Sequence, residues 1–214
     1  MVPAQALIFD MDGLLLDTER LYAAATQAVI EPWAHVDTPE VYGDWIGREV
    51  SADEFAATYP TDLTGDEFVQ QMRDHFHRLC ETELTLMPGA QAFLDGAAAA
   101  YPKAIASSTK RETIDHHLTR LGLIQRFPVR ISGRDVPRGK PAPDVFLAAA
   151  EALDIEPAAC VVFEDSMHGC IGARAAGMRV VAVPTIYTAH LDFSVADLVV
   201  ERLDAVDSDW LASA

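Results

Sequence analysis

Asp10-Met11-Asp12-Gly13 follows the apolar run Ala6-Leu7-Ile8-Phe9 and sets two carboxylates one residue apart. The run has the length and composition of a buried strand, and side chains alternate faces along a strand. A flat continuation would aim Asp10 and Asp12 the same way. Two acids converging at a strand mouth repel each other unless a cation or a shared proton offsets them. A magnesium-dependent phosphoryl-transfer site uses such a pair. The same four residues also fit a solvated strand-end turn with Gly13 at positive φ. The local residues leave both readings open.

Three further segments follow in order. Ala104-Ile105-Ala106-Ser107-Ser108-Thr109 is an apolar run ending in hydroxyls. Gly139-Lys140-Pro141-Ala142-Pro143-Asp144 holds a lysine in a rigid turn before a helix. Cys160-Val161-Val162-Phe163-Glu164-Asp165-Ser166 is a second strand ending in paired acids, which taken alone also fits a helix cap. Together with the stretch from Phe9 to Glu19, these segments resemble the four motifs of the haloacid dehalogenase superfamily. The similarity is closest to its phosphatase and beta-phosphoglucomutase-like branch, and it covers nearly the whole chain.

The resemblance implies a role for each motif residue. Asp10 is the expected nucleophile, attacking phosphorus to give an aspartyl-phosphate. Asp12 is the expected general acid and base, protonating the leaving alkoxide and then taking a proton from the hydrolytic water. Dehalogenases lack this second aspartate, because a halide needs no proton. Mg²⁺ is the expected cofactor, held by Asp10, the Asp12 carbonyl and Asp165, with Glu164 direct or through water. Lys140 is expected to neutralise Asp10 and the phosphoryl oxygens, with Asp144 fixing its ammonium. Ser107 is the expected phosphate ligand. Ser108, Thr109 and Lys110 are expected near the far end of the substrate, although a helix cap with a solvated lysine fits them equally well. Gly47-Arg48 resembles a substrate-contacting loop, Arg48 offering a planar donor fork.

The elements that must position these residues are legible as alternating patterns. Strands are expected near 5–9, 103–107, 129–131, 159–163, 179–183 and 197–200, and helices near 88–100, 110–121, 143–153, 166–176 and 204–212. Short apolar strands separated by helices predict an α/β fold, a Rossmann-like parallel sheet with helices on both faces. Residues 17–87 break the alternation. Leu21 to Ile30 and Glu67 to Leu86 carry helical periodicity, and Thr64-Gly65-Asp66-Glu67 is a helix start. An inserted all-helical cap over 17–87 is expected, with the catalytic core made of 1–16 and 88–214.

The formal net charge of −17 argues against nucleic-acid and anionic-membrane partners, which require a basic face. The expected partner is a small phosphorylated metabolite, and the expected state a monomer. Cys80, Cys160 and Cys170 show no disulfide-like spacing, which suits a reducing cytoplasm. His75, His77 and Cys80 do not read as a metal cluster, because positions two apart on a helix diverge. Within the resembling family the leading expectation is a phosphatase for a sugar or polyol phosphate. A phosphomutase is the alternative. It is disfavoured because Tyr22 stands where the resembling mutase carries a histidine, and because residues 17–87 contain arginines but no lysine. A non-catalytic binding protein that retains the fold is a further alternative, disfavoured because every motif residue, Asp10 and Asp12 included, is present.

Overall fold

The computed structural model describes residues 2–46 and 51–213. Among them six strands form one parallel sheet: β1 Ala6–Phe9, β2 Lys103–Ser107, β3 Val129–Ser132, β4 Cys160–Glu164, β5 Arg179–Ala182 and β6 Leu198–Val199. Their spatial order is β3-β2-β1-β4-β5-β6. β1 sits in the middle, with Phe9 beside Ile105 of β2 and Phe163 of β4. The chain leaves β1 on one side for β2 and β3, then returns to β4 on the other. Such a switch point opens a crevice beyond the carboxyl ends of the strands.

The period of two assigns each strand residue to a face. Leu7, Phe9, Ile105, Val161 and Phe163 face one core, where Phe9 stacks on Phe163 at 4.9 Å between centroids and meets Phe127 edge-on. The other face carries Ala6, Ile8, Ala104, Ala106, Cys160 and Val162, mostly small side chains that let helices approach closely.

Helices α1 Thr18–Ile30, α2 Pro39–Gly43, α3 Ala52–Ala56 and α4 Gly65–Glu83 lie between β1 and α5 Ala90–Asp95. α6 Arg111–Arg120 joins α5 on the aromatic face through Ile114 and Leu118. α7 Asp144–Leu153 and α8 Met167–Ala175 cover the small-residue face. A short α9, Ser208–Ala212, returns Leu211 to the first core. α1 packs on α4, and Val29, Ile30, Phe55, Tyr59 and Phe68 form a separate small cluster there. Thr64 and Glu67 close a reciprocal capping box at the start of α4.

Three helical expectations shorten in the structure. α4 stops at Glu83 because the next residues pair with the outgoing chain: the Asp17 amide donates to Thr85 O at 3.0 Å and the Met87 amide to Leu15 O at 2.8 Å. The helix expected over 88–100 is α5 alone and ends at Gly96. The one expected over 204–212 divides into a 3-10 turn at Leu203–Ala205 and α9, because the Asp207 side chain caps the latter. No helix among the described residues is long and apolar enough to cross a membrane.

Candidate active site

The acidic motif leaves β1 as a turn and not as a flat strand. The Asp10 amide still donates to Phe163 O, continuing the ladder, but the Leu15 and Leu16 amides both turn back to Met11 O. Asp10 and Asp12 therefore take different partners. Asp10 accepts from Lys140 Nζ. Asp12 Oδ2 accepts from Ser107 Oγ at 3.2 Å and Thr109 Oγ1 at 2.8 Å. The two hydroxyls come from the carboxyl end of β2 and the loop after it. The Thr109 amide donates to Ser107 Oγ at 3.0 Å, which holds the pair in register.

Lys140 is buried and bridges two acids. Besides Asp10 it donates to Glu164 Oε1 at 2.5 Å, and its ammonium lies 5.1 Å from the Phe146 ring centroid. The expected bond to Asp144 is absent; Asp144 instead pairs with Arg138 at 2.9 Å. Glu164 is fully buried, and its second oxygen accepts from the Ser166 amide and hydroxyl at 3.2 and 2.9 Å. Both Glu164 oxygens thus have protein donors. Gly169, in the first turn of α8, makes room for this carboxylate: a Cβ there would lie 1.9 Å from Glu164 Cδ.

Asp165 completes the cluster. It is 2% exposed, and its Oδ2 has no hydrogen-bond partner. Gly13, at φ +76°, faces it; a Cβ there would lie 2.3 Å from Asp165 Oδ2. Burial, reinforced by the neighbouring carboxylates, holds Asp10 and Asp165 well above the usual aspartate range, against the pull of Lys140. Burial would pull the Lys140 ammonium down, but Asp10 and Glu164 outweigh it and raise it. One ammonium, paired with Asp10 and Glu164, thus sits among three buried carboxylates.

One acid outside the motif roles also faces this centre. Glu19, in the first turn of α1, is buried and accepts from Tyr42 Oη at 2.8 Å. Burial pushes its carboxyl up to about 7, although the Tyr42 bond opposes the shift. Glu19 was legible only as an acid trailing Asp17-Thr18; nothing in the spacing pointed it inward.

Asp10, Asp12, Glu19, Ser107, Lys140 and Asp165 line a cavity of about 160 Å³, and Ser108 and Thr109 line it as well. A larger chamber of about 400 Å³ adjoins it through Glu19, Tyr22 and Ile46 and is walled by the helices of the 17–87 segment. Lys110, expected near substrate, is exposed at the start of α6 and lines neither space. Gly47 and Arg48 lie outside the described residues. Among the described residues no three His, Cys, Asp or Glu side chains converge as a metal cage. The oxygen donors here are two aspartates and backbone carbonyls, a set that suits an ion keeping several waters.

The arrangement matches known proteins. Residues 7–183 match the model of the haloacid dehalogenase-like hydrolase family. The chain is 36% identical over 212 residues to YhcW of Bacillus subtilis, covering 97% of this chain and 94% of that protein. It is 33% identical over 179 residues to the phosphorylated carbohydrates phosphatase of Thermotoga maritima, covering 82% of each. Among solved structures, CbbY from Rhodobacter sphaeroides in complex with phosphate superposes with a TM-score of 0.75 at 26% identity, covering 94% of this chain and 95% of that one.

Proposed function

The chain belongs to the haloacid dehalogenase-like hydrolase family and is a phosphoric monoester hydrolase; from that premise we propose that it removes phosphate from a small sugar or polyol phosphate, the phosphoryl group passing through Asp10. The observation that carries this reading is the convergence of Asp10, Asp12, Lys140 and Asp165, from the ends of separate strands and loops, on one cavity. The Thermotoga maritima relative, named for phosphorylated carbohydrates, supports the substrate class.

In the proposed reaction an Asp10 oxygen bonds to phosphorus as the bond to the leaving oxygen breaks. The departing alkoxide takes a proton from Asp12. Water then attacks the aspartyl-phosphate, gives a proton to Asp12, and releases inorganic phosphate and the Asp10 carboxylate. Ser107 and Thr109 both donate to Asp12 Oδ2, which fixes the carboxyl and leaves its other oxygen to carry the proton. Lys140 offsets charge at Asp10 and on the transferring group. Glu164 holds Lys140 in place.

Mg²⁺ fits the residues present. Asp165 Oδ2 is a buried acceptor without a donor, Gly13 leaves space against it, and Asp10 lies in the same cluster. We assign Asp10, Asp165 and the Asp12 carbonyl to the ion, with Glu164 behind them. When bound, the ion supplies positive charge against the phosphoryl oxygens. We further assign residues 17–87 as a cap that shields the centre, and a cytoplasmic setting, which suits three cysteines without disulfides. The mutase reading is not adopted: Tyr22, at the position of the mutase histidine, stacks face to face on Phe76.

Phosphate release measured over sugar, polyol and nucleotide monophosphates tests this function. Release from at least one sugar or polyol phosphate should fall at least about tenfold in chelator and return with Mg²⁺. Equal rates with chelator would remove the metal from the reading. Release from none of them would remove the sugar phosphatase.

Two further outcomes follow from the same geometry. Gly13→Ala must displace Asp165 or distort the turn, and kcat/KM should drop at least about tenfold, or about 1.4 kcal/mol. Unchanged kinetics would show that Asp165 tolerates displacement. Thermal unfolding with and without Mg²⁺ checks the proton–metal competition. Asp10 and Asp165 have folded pKa values raised above 3.8, so their contribution to stability is present below that value and is lost as pH rises through the folded pKa. Mg²⁺ binds the deprotonated carboxylates, so its gain in Tm should be larger at pH 8 than at pH 5.5. A gain independent of pH would mean the ion binds elsewhere.

A further inference from the structure

The larger chamber holds two cations that the phosphoryl chemistry does not use. Arg73 of α4 and Arg134 of the loop after β3 both line it, and neither lines the smaller cavity around Asp10. Every other described arginine makes a side-chain hydrogen bond or an ion pair. The guanidinium groups of Arg73 and Arg134 make none among the described residues. This is unexpected on elementary grounds. The chain has 33 acidic residues against 16 lysines and arginines, so an acid partner is statistically close at hand for any exposed arginine. The only acid among the described residues lining the chamber is Glu19, and Tyr42 holds it.

We propose that the leaving group of the substrate carries an anionic group of its own, a carboxylate or a second phosphate, received between Arg73 and Arg134. This rests on the phosphatase reading and narrows its substrate class. The scissile phosphate is answered by Lys140 in the smaller cavity, so the two arginines meet the distal part of the ligand. A guanidinium presents a planar donor fork matched to carboxylate and phosphate oxygens. The chamber's volume of about 400 Å³ lies at the small end of metabolite sites, which suits a short phosphorylated acid or a sugar bisphosphate. One arginine comes from the 17–87 segment and the other from the loop after β3, so a single anion between them ties the two sides together.

Matched pairs test the proposal. The carboxylate arm compares 3-phosphoglycerate with glycerol 3-phosphate. The phosphate arm compares fructose 1,6-bisphosphate with fructose 6-phosphate. In at least one pair the doubly anionic compound should have the higher kcat/KM by about tenfold or more, and the responding arm identifies the group. Arg73→Ala and Arg134→Ala should each lower that ratio at least about fivefold, mainly through KM. A ratio of one or less in both pairs overturns the proposal, and so does a ratio that neither substitution moves. Failure of the phosphatase reading looks different: no phosphate is released from any compound, p-nitrophenyl phosphate included. Calorimetric titration of the same four compounds into Asp10→Asn then decides. Tighter binding of the doubly anionic member, weakened by adding Arg73→Ala, supports the proposal, and equal binding within both pairs overturns it.

Discussion

Replacing Asp10 with asparagine should leave the fold intact and lower phosphate release by at least about 10³-fold. An amide is nearly the shape of a carboxylate, and the side chain is held at a strand end by backbone pairing that the substitution does not touch. It removes the carboxylate proposed to attack phosphorus and the negative charge that Lys140 answers. Loss of charge also relieves a crowded cluster. Burial already raises the Asp10 pKa, so the folded protein gives up little by making the site neutral. The melting temperature of the variant should therefore equal or exceed that of the parent, without Mg²⁺, at neutral pH. Phosphate release from freshly prepared protein, checked by mass for deamidation, measures the first half; thermal unfolding measures the second. More than a few per cent of residual activity would mean that Asp10 is not the nucleophile.

Lys140→Met should be nearly as damaging to activity and far more damaging to stability. The methionine keeps much of the aliphatic stem and its packing on Phe146 but removes the one ammonium among Asp10, Glu164 and Asp165. Breaking a buried pair by deleting one partner costs about 3–5 kcal/mol, because the remaining charge is left without compensation. The loss of charge stabilisation in the transition state should lower kcat about 10²- to 10³-fold. The pH dependence distinguishes this from a packing defect. Without the ammonium, the folded pKa of Asp10 rises further above its unfolded value. The stability of such a group is present below the unfolded pKa and is lost as pH rises through the folded one. The deficit against the parent should therefore be larger at pH 8 than at pH 5 in denaturant titrations. Equal deficits at both pH values would reduce Lys140 to a space-filling role.

The core of this site was legible because its residues terminate local patterns. An apolar run of strand length that ends in an acid or a hydroxyl places that group at a sheet edge whatever the rest of the chain does. Asp10, Ser107 and Asp165 are of this kind, and the β1, β2 and β4 runs match the expected ones within a residue. Lys140 was legible as one of three lysines, set in a proline-bounded turn. The helix start at Thr64 likewise follows from hydrogen bonds three residues apart.

What the sequence by itself determined is thus the class of fold and the order in which chemistry-bearing groups reach the carboxyl edge of the sheet. These depend on period and on neighbours in the chain. Only the tertiary structure decided which group each of them meets. Lys140 reaches past nearby Asp144 to Glu164, because Arg138 takes Asp144 and Gly169 opens the space behind β4. Thr109, expected near substrate, lines the cavity and also holds Asp12, because the chain after Asp10 turns and brings Asp12 toward the end of β2. Glu19 enters the centre through the packing of α1 over Gly13, and Arg73 and Arg134 face one chamber from positions 61 residues apart in the chain. Partner choice of this kind is set by distances through space and by burial, and a one-dimensional pattern carries neither.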